Sequence, residues 1–171
     1  MIFAYADPPY YKQGAKRYKE KHQAASDWDS QQRHLDLIEQ LNTTYADGWA
    51  LSCNPSDLVW MLPATQGARI CVWTKTFHQI RRTTVQYAYE VVLIKGGRSE
   101  NARKPMVRDW ITGVTTRKKG LVGAKPHYFN LWVLDLLNVK PGDVLIDLYP
   151  GTNGMAEALK ERNIGKGGQE L

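Results

Sequence analysis

Residues 2–10 read IFAYADPPY, an apolar run that stops at an acid followed by two prolines. This pattern predicts a short buried strand that ends at Asp7, because proline cannot continue a sheet ladder. Near the other end, residues 144–154 read VLIDLYPGTNG, a second apolar run that ends at Asp147 and opens into a glycine-rich turn. Strand and helix patterns alternate between the two stretches. That alternation predicts an α/β fold with a mainly parallel sheet.

The remaining elements follow from hydrophobic periodicity. Further strands are predicted over 48–53, 69–74 and 86–94, and helices over 31–45, 56–62, 127–138 and 155–162. Only nine glycine-rich and charged residues follow Arg162, too few to return as another strand, so we expect about five strands. Ligands bind beyond the carboxyl ends of parallel strands, which places the functional site between the loops that follow Asp7 and Asp147.

Composition indicates one globular domain. The chain has 171 residues, 43% of them apolar, and no run approaches the roughly 20 apolar residues of a membrane span. The N-terminus lacks a basic region followed by an apolar stretch, so we expect a cytoplasmic protein without a membrane partner. Cys53 and Cys71 have no metal-type spacing and are predicted to be small buried residues. The four histidines are scattered, and no metal is predicted.

Positive charge is concentrated in two clusters. The formal net charge is +6, and residues 98–125 carry eight basic and two acidic residues; a second basic cluster lies within 12–21. Such clusters are either solvated surface or a binding surface for a polyanion. Under the second interpretation the nucleic-acid-binding candidates are Lys12, Lys16, Arg17, Arg103, Lys104, Arg117, Lys118 and Lys119.

The turn at 147–154 is suited to binding an anion or a cofactor. Gly151 and Gly154 allow a sharp turn and a close approach of the backbone, and amides at the start of the following helix can bind a carboxylate or a phosphate. The spacing matches neither a Walker loop nor a G-x-G-x-x-G motif. An ordinary strand-to-helix turn is the alternative.

Asp7-Pro8-Pro9-Tyr10 supplies what a nucleobase amine requires. The carboxylate of Asp7 and a proline carbonyl can accept the two N–H bonds of a planar exocyclic amine, and Tyr10 can stack on the ring. The prolines would hold these groups rigidly. The alternative interpretation is a stiff loop after a strand.

These residues resemble the motifs of a known family. Asp7-Pro8-Pro9-Tyr10 resembles the catalytic motif of the amino-group DNA methyltransferases, which use S-adenosylmethionine to methylate adenine N6 or cytosine N4, and Asp in first place favours adenine. The stretch 147–154 resembles their cofactor loop, Lys125-Pro126 resembles their Lys-Pro cofactor motif, and Tyr89-Glu90 is similar to their aromatic-Glu strand. The order, with the catalytic motif first and the cofactor loop last, resembles the circularly permuted class.

The resemblance implies a fold, a reaction and a set of residues. It implies a Rossmann-like methyltransferase sheet, a single domain over 1–171, and direct methyl transfer to an exocyclic amine of DNA, with RNA as an alternative. The domain would comprise a catalytic-motif half over 1–97, a basic nucleic-acid-facing segment over 98–124 and a cofactor-binding half over 125–171. The implied catalytic residues are Asp7, Pro8, Pro9 and Tyr10; the implied cofactor-binding residues are Lys125, Pro126, Asp147, Tyr149, Gly151, Asn153 and Gly154.

The sequence departs from the family pattern in the cofactor half. Asn153 stands where the family has glycine, and Asn is the residue that best replaces glycine at positive φ. The short tail predicts that the family's next strand, with its ribose-binding acid, is missing. Glu157 or a second copy of the chain would then have to supply that acceptor. Two alternatives follow: a non-catalytic nucleic-acid-binding module, or an enzyme that uses the cofactor on RNA or another substrate.

Overall fold

The computed structural model places every described strand in one sheet. It describes residues 1–18, 23–76, 82–99, 106–115 and 123–167. The strands are β1 (Ile2–Ala6), β2 (Gly48–Cys53), β3 (Arg69–Lys75), β4 (Tyr89–Gly96), β5 (Trp110–Gly113), β6 (Val144–Asp147) and β7 (Gly165–Gly167). The helices are α1 (Gly14–Tyr18), α2 (Gln31–Thr44), α3 (Leu58–Met61), α4 (His127–Leu137) and α5 (Gly154–Glu161). Short 3-10 turns occupy 23–29, 55–57 and 62–65.

The strand order is β5-β3-β4-β2-β1-β6-β7. β1 pairs in parallel with β2 and β6, β3 with β5, and β6 with β7, whereas β4 runs antiparallel to both of its neighbours. The predicted α/β class with a mainly parallel sheet is therefore confirmed. Because β4 is reversed, its first residues lie at the same edge of the sheet as the last residues of β1 and β3.

The predicted number of about five strands is wrong, because β5 and β7 extend the two edges. The expectation that the tail could not form a further strand fails for a specific reason. Asn163 adopts φ 54°, which turns the chain sharply after α5, and Ile164 is buried directly afterwards. Three residues then pair with β6, with Val144 opposite Gly165. A glycine-rich strand at an edge needs backbone pairing only, so hydrophobic periodicity does not reveal it.

The helices bury two apolar clusters on opposite faces of the sheet. On one face α4 and α5 pack Phe129, Val133 and Leu159 against the strands; on the other, α2 packs Ile38 and Leu41. Both cysteines are buried thiols, as predicted. Within the described ranges, every helix is too short or too polar to cross a membrane.

Tyr128 joins α4 to the edge strand β5. Its hydroxyl accepts a hydrogen bond from the indole N–H of Trp73 (2.9 Å) and donates one to the carbonyl of Val114 (3.0 Å). Gly113 leaves the room for this arrangement, because a Cβ there would lie 2.3 Å from the Tyr128 hydroxyl oxygen. The edge of the sheet is thereby fixed to the helix that follows Lys125.

Asp143 lies immediately before β6, at the opposite end of the sheet, where the parallel strands begin. Its carboxylate is 4% exposed and accepts hydrogen bonds from the Met1 amino group (3.0 Å), from Arg98 Nη2 (2.6 and 2.7 Å) and from the Lys140 N–H (2.8 Å). Burial alone would raise its pKa, but these donors outweigh burial and lower the pKa to about 2.

We expect Asp143→Asn to lower the free energy of unfolding by about 2 kcal/mol at neutral pH. Because the pKa of Asp143 in the folded state lies below its ordinary value of 3.8, the ionised carboxylate stabilises the fold at pH values above 3.8. This stabilisation is lost as the pH falls through about 2. Urea unfolding of both proteins between pH 7 and 2 measures the difference, which should shrink below pH 4. Asp36→Asn, at an exposed carboxyl of α2, is the control and should change little. A deficit of Asp143→Asn that stays constant down to pH 2 would contradict the assignment.

Candidate active site

The loops that follow Asp7 and Asp147 leave neighbouring strands at the same edge of the sheet. β1 and β6 pair in parallel with Tyr5 opposite Asp147, and the Leu148 N–H donates to the Tyr5 carbonyl at 3.0 Å. Asp7 lies two residues beyond that pair. The two sequence motifs, 140 positions apart in the chain, are therefore adjacent in the fold.

A buried lysine connects the site. Lys125 Nζ donates hydrogen bonds to Asp7 Oδ1 (2.9 Å) and to the Tyr10 hydroxyl (3.1 Å), and it lies 3.2 Å from Glu90 Oε2. The Tyr10 hydroxyl in turn donates to the same Glu90 oxygen at 2.8 Å. The Lys125 side chain is 8% exposed. Two of the three N–H bonds of the ammonium are thus used in hydrogen bonds, and the Glu90 carboxylate adds an ion pair.

Charge is balanced within the site. Lys75 pairs with the other oxygen of Glu90, so two ammonium groups face two carboxylates. Burial raises the pKa of Glu90, but Lys125 and Lys75 together outweigh it and bring the pKa down to about 2. For Lys125 burial acts to lower the pKa, yet Asp7 and Glu90 prevail and hold it well above its ordinary value. Lys125 and Glu90 are therefore both ionised at neutral pH.

Asp7 differs from its partner carboxylate. Burial raises its pKa by more than the nearby Lys125 lowers it, so the pKa of Asp7 stands above its ordinary value. Burial likewise raises the pKa of Tyr10 well above that of a free phenol, which keeps its hydroxyl neutral. Of the two carboxyl groups in the site, Asp7 is the one that accepts a proton more readily.

The prolines of the motif lie in the loop directly after β1. Pro8 is buried, while Pro9 and Tyr10 are half-buried at the edge of the sheet. Tyr11 packs edge-on against Trp60 at 5.7 Å between ring centroids. The loop is thus anchored on both sides of the residues that would meet a base.

Two residues of the turn at 147–154 have a left-handed backbone conformation. Gly151 has φ 45° and Asn153 has φ 59°, so Asn153 occupies the left-handed conformation that its replacement of glycine requires. Asn153 precedes α5 and its side chain makes no capping hydrogen bond, which leaves the first amides of α5 for an external acceptor. Asp147 Oδ1 accepts the Tyr149 N–H at 3.2 Å, which supports the turn.

Gly154 lets the start of α5 lie close to α4. A Cβ at Gly154 would lie 2.8 Å from Asn130 Nδ2, closer than such atoms approach, whereas the Lys125 carbonyl oxygen, at 3.7 Å, would be at an ordinary contact distance. The absence of a side chain at 154 therefore makes room for the Asn130 amide, and the backbone of Lys125 lies near the turn.

Two residues assigned to the cofactor have structural contacts in this state. Pro126 is buried and begins α4, its carbonyl accepting the Phe129 N–H at 3.0 Å. The Tyr149 ring packs edge-on against Trp28 at 5.3 Å. Their roles toward a cofactor stay predictions.

The predicted nucleic-acid-binding residues are only partly described. Lys12 and Lys16 are exposed near the catalytic motif, and Arg17 lies in α1. The remaining five fall outside the described residues: Arg103, Lys104, Arg117, Lys118 and Lys119. Their contact with a polyanion stays a prediction.

Sequence reasoning did not assign Glu90 and Lys75 to the site. Glu90 stands directly before an apolar run, which marks the start of a strand but not its direction. Only the reversal of β4 brings Glu90 to the edge where Asp7 lies, and the end of β3 brings Lys75 to the same place. Elsewhere, His34 is buried and bonds the Trp28 carbonyl (3.0 Å), and the described part of the chain contains no cluster of three His, Cys, Asp or Glu side chains suited to a metal ion.

Several solved structures share this fold. The M1.HpyAVI–SAM complex superposes with a TM-score of 0.64 at 10% identity, covering 96% of this chain and 78% of that one. The PvuII DNA methyltransferase, which is cytosine-N4-specific, gives a TM-score of 0.63 at 12% identity, covering 96% and 72%. The chain has the methyltransferase fold.

A third structure agrees. The Thermus thermophilus protein TTHA0409, complexed with S-adenosyl-L-methionine, gives a TM-score of 0.54 at 14% identity, covering 97% of this chain and 78% of that one. No protein-family model matches the sequence, and no curated protein matches it in a sequence comparison. At these identities the likeness to solved structures establishes the fold alone.

Removing Lys125 should destabilise the protein strongly. We expect Lys125→Met to lower the free energy of unfolding by about 3 kcal/mol, because the half-buried carboxylates of Asp7 and Glu90 then have one counter-ion fewer. The double variant Lys125→Met/Asp7→Asn should recover part of that loss. Lys160→Met, at an exposed lysine of α5, is the matched control for urea unfolding at pH 7. If Lys125→Met and Lys160→Met lower the free energy of unfolding by similar amounts, the ion pairs of Lys125 contribute little to stability.

The left-handed conformation of Asn153 predicts an ordering of variants. Asn153→Gly should leave the free energy of unfolding within a few tenths of a kcal/mol, whereas Asn153→Ala should lower it by about 1 kcal/mol, since Asn tolerates positive φ better than other residues with a Cβ do. Thermal unfolding of the two variants beside Thr152→Ala measures this. Equal damage from Gly and Ala at position 153 would mean that the side chain of Asn153 matters and its backbone does not.

Proposed function

We propose that this protein transfers a methyl group from S-adenosylmethionine to the exocyclic amine of a nucleobase, adenine N6 in DNA. The observation that carries the proposal is the adjacency of Asp7–Tyr10 and the turn 147–154 at the carboxyl ends of β1 and β6. One motif is suited to an amine on a planar ring, and the other to a ligand with a carboxylate. Methyl transfer requires these two ligands side by side.

Similar structures support the cofactor and the substrate class. Two of them, M1.HpyAVI and TTHA0409, hold S-adenosylmethionine, and the PvuII enzyme is a cytosine-N4-specific DNA methyltransferase. The choice of adenine for this chain rests on Asp7, because the adenine enzymes of the family that its motif resembles usually have Asp at this position and the cytosine enzymes usually have Ser. The motif order, with Asp7 directly after β1 and the turn after β6, supports assignment to the circularly permuted class.

The residues of the turn fit the cofactor. The amides at the start of α5 suit the carboxylate of its methionine part, and the positive φ at Gly151 and Asn153 gives the sharp turn that brings the backbone near such a ligand. When bound, S-adenosylmethionine supplies an electrophilic methyl group on a sulfonium. The protein needs only to position the acceptor amine in line with that methyl group and to exclude water.

Asp7 would orient the amine and draw electron density toward its nitrogen. The amine donates one N–H to the Asp7 carboxylate and the other to a proline carbonyl, which makes the nitrogen more nucleophilic. On taking the methyl group from bound S-adenosylmethionine, the amine nitrogen would lose one proton. The Asp7 carboxylate, which would accept one N–H of the amine and whose pKa is raised, would take up that proton.

Lys125 has the same donor chemistry as the substrate amine. Its ammonium donates a hydrogen bond to Asp7 Oδ1 in this structure. The amine of an incoming base must therefore share that oxygen or displace the ammonium from it. Glu90 and Tyr10 retain two further acceptor positions for the ammonium when this happens. We therefore regard Lys125 as a positioning residue for Asp7, in addition to any contact with the cofactor.

The non-catalytic alternative loses two of the observations that favoured it. The structure contains the strand β7 after the turn, and Asn153 adopts the backbone conformation that a glycine would. The three residues of β7 are Gly-Lys-Gly, so this strand supplies no acid for the cofactor ribose. The proposal that Glu157 or a second copy of the chain provides that acceptor therefore stays a prediction.

We expect Asp7→Ala to abolish methyl transfer while leaving cofactor binding within about twofold. The test is tritium transfer from labelled S-adenosylmethionine to mixed DNA and RNA, with calorimetry for cofactor binding and mass spectrometry of the methylated nucleoside. Asp36→Asn is a control for both measurements. N6-methyladenine in DNA supports the proposal in full; transfer to RNA would replace DNA as the substrate. No cofactor binding by the unmodified chain at millimolar concentration would sink the enzymatic proposal.

A further inference from the structure

One face of β3 and β5 is aromatic and exposed. Val72 pairs with Trp110 and with Val91, and Thr74 pairs with Thr112 and with Tyr89, so these side chains project from the same face of the sheet. We call the surface formed by Ile70, Val72, Thr74, Tyr89, Arg108, Trp110 and Thr112 the Trp110 face. Ile70 is 41% exposed, Tyr89 46% and Trp110 49%.

The surrounding packing explains why this surface is open. On this face α2 covers β1, β2 and β4, where Val91 and Leu93 are fully buried. The opposite face of β3 and β5 is covered by α4, which buries Trp73 and packs against Ile111. Within the described ranges, the helix layer on the Trp110 face ends at β4.

The Trp110 face is continuous with the candidate active site. Tyr89 precedes Glu90, whose carboxylate bonds Tyr10 and lies beside Lys125, and Thr74 precedes Lys75, which pairs with Glu90. Alternation along each strand sends Glu90 and Lys75 to one face and Tyr89 and Thr74 to the other. A ligand that extends from Asp7 around this edge of the sheet would reach Tyr89 first and Trp110 next.

The chemistry of the face matches a polyanion with exposed rings. The Arg108 guanidinium lies over the Trp110 ring, 5.4 Å from its centroid. The seven residues of the face include one cation and no acid, on a chain with a net charge of +6. Trp110 is also unusual among the six tryptophans, because Trp28, Trp49, Trp73 and Trp132 are buried and Trp60 is half-buried.

We propose that the Trp110 face binds an unpaired nucleic-acid strand, with bases stacked on Trp110 and Tyr89 and a phosphate near Arg108. Stacking requires a base whose ring is free, which a paired duplex does not offer, so the face would select single-stranded substrate or the strand beside an extruded base. This inference rests on the proposed function for the identity of its ligand as nucleic acid.

A second copy of the chain fits the face less well. Two copies meeting there would bring two Arg108 side chains and two molecules of charge +6 together at a desolvated interface. A nucleic acid would neutralise the same charge. Association through this face is nevertheless a measurable outcome.

The exposure of Trp110 supplies a direct assay. Binding of a single-stranded oligonucleotide should quench the tryptophan fluorescence of the unmodified chain, and its affinity is measured separately by anisotropy of a labelled strand. Trp110→Phe keeps a ring for stacking, so it should keep most of the affinity and lose most of the quenching. Trp110→Ala should lose the quenching and weaken binding at least about fivefold, as expected for the loss of one base–aromatic stack.

A matched pair tests the face itself. Arg108→Ala should weaken strand binding and reduce the salt dependence of that binding. Arg69→Ala is the control, because it removes an exposed positive charge of β3 from the opposite face of the sheet, and it should have less effect. Calorimetry with S-adenosylmethionine shows whether each variant retains its fold and cofactor site. If Trp110→Ala does not fold, Arg108→Ala and Trp110→Phe carry the test.

The outcomes separate this proposal from the previous one. Unchanged strand affinity in Trp110→Ala and Arg108→Ala overturns the Trp110 face even if methyl transfer is observed. Trp110-dependent strand binding without methyl transfer by the unmodified chain upholds the face and defeats the enzymatic proposal. A dimer in sedimentation that Trp110→Ala converts to a monomer would show that a second copy covers the face instead.

Discussion

The buried ammonium of Lys125 is the interaction on which the site depends. It joins three segments that are far apart in the chain: the loop after β1 through Asp7 and Tyr10, the start of β4 through Glu90, and its own position immediately before α4. An uncompensated charge at this depth would cost several kcal/mol, so neither partner can be removed without consequence for the other. The geometry of the proposed catalytic motif and the start of α4 are therefore set together.

The same interaction gives the site a defined state before any ligand arrives. Asp7 is half-buried and its pKa is raised, and an unpaired carboxyl in that place would tend to bind a proton and become a poorer acceptor. The Lys125 ammonium lowers the pKa of Asp7 and so opposes protonation, and its hydrogen bond to Oδ1 holds the carboxylate in one orientation. Glu90, held by two lysines, is the fixed point against which Tyr10 and Lys125 are oriented.

Much of the central sheet follows from the sequence, since β1, β2, β3 and β6 are apolar runs with clear ends and α2 and α4 have helical spacing. The sequence also places Asp7 and Asp147 at one edge, because both follow parallel strands. It does not give the direction of β4, which depends on pairing between distant segments, and so it misses Glu90. β7 is missed because three residues of GKG carry no hydrophobic signal, and the exposed position of Trp110 depends on where the helix layer ends.

A side chain at position 113 and the phenol of Tyr128 would compete for the same space, because a Cβ at 113 would lie 2.3 Å from the Tyr128 hydroxyl oxygen. A methyl group at 113 and the phenol of 128 cannot both occupy the space beside Trp73. A larger residue at 113 is therefore compatible with the fold only if the side chain at 128 becomes smaller, and the phenol's bond to the Val114 carbonyl would then be lost. In an alignment the two columns should vary as a pair, although 15 positions separate them in the chain.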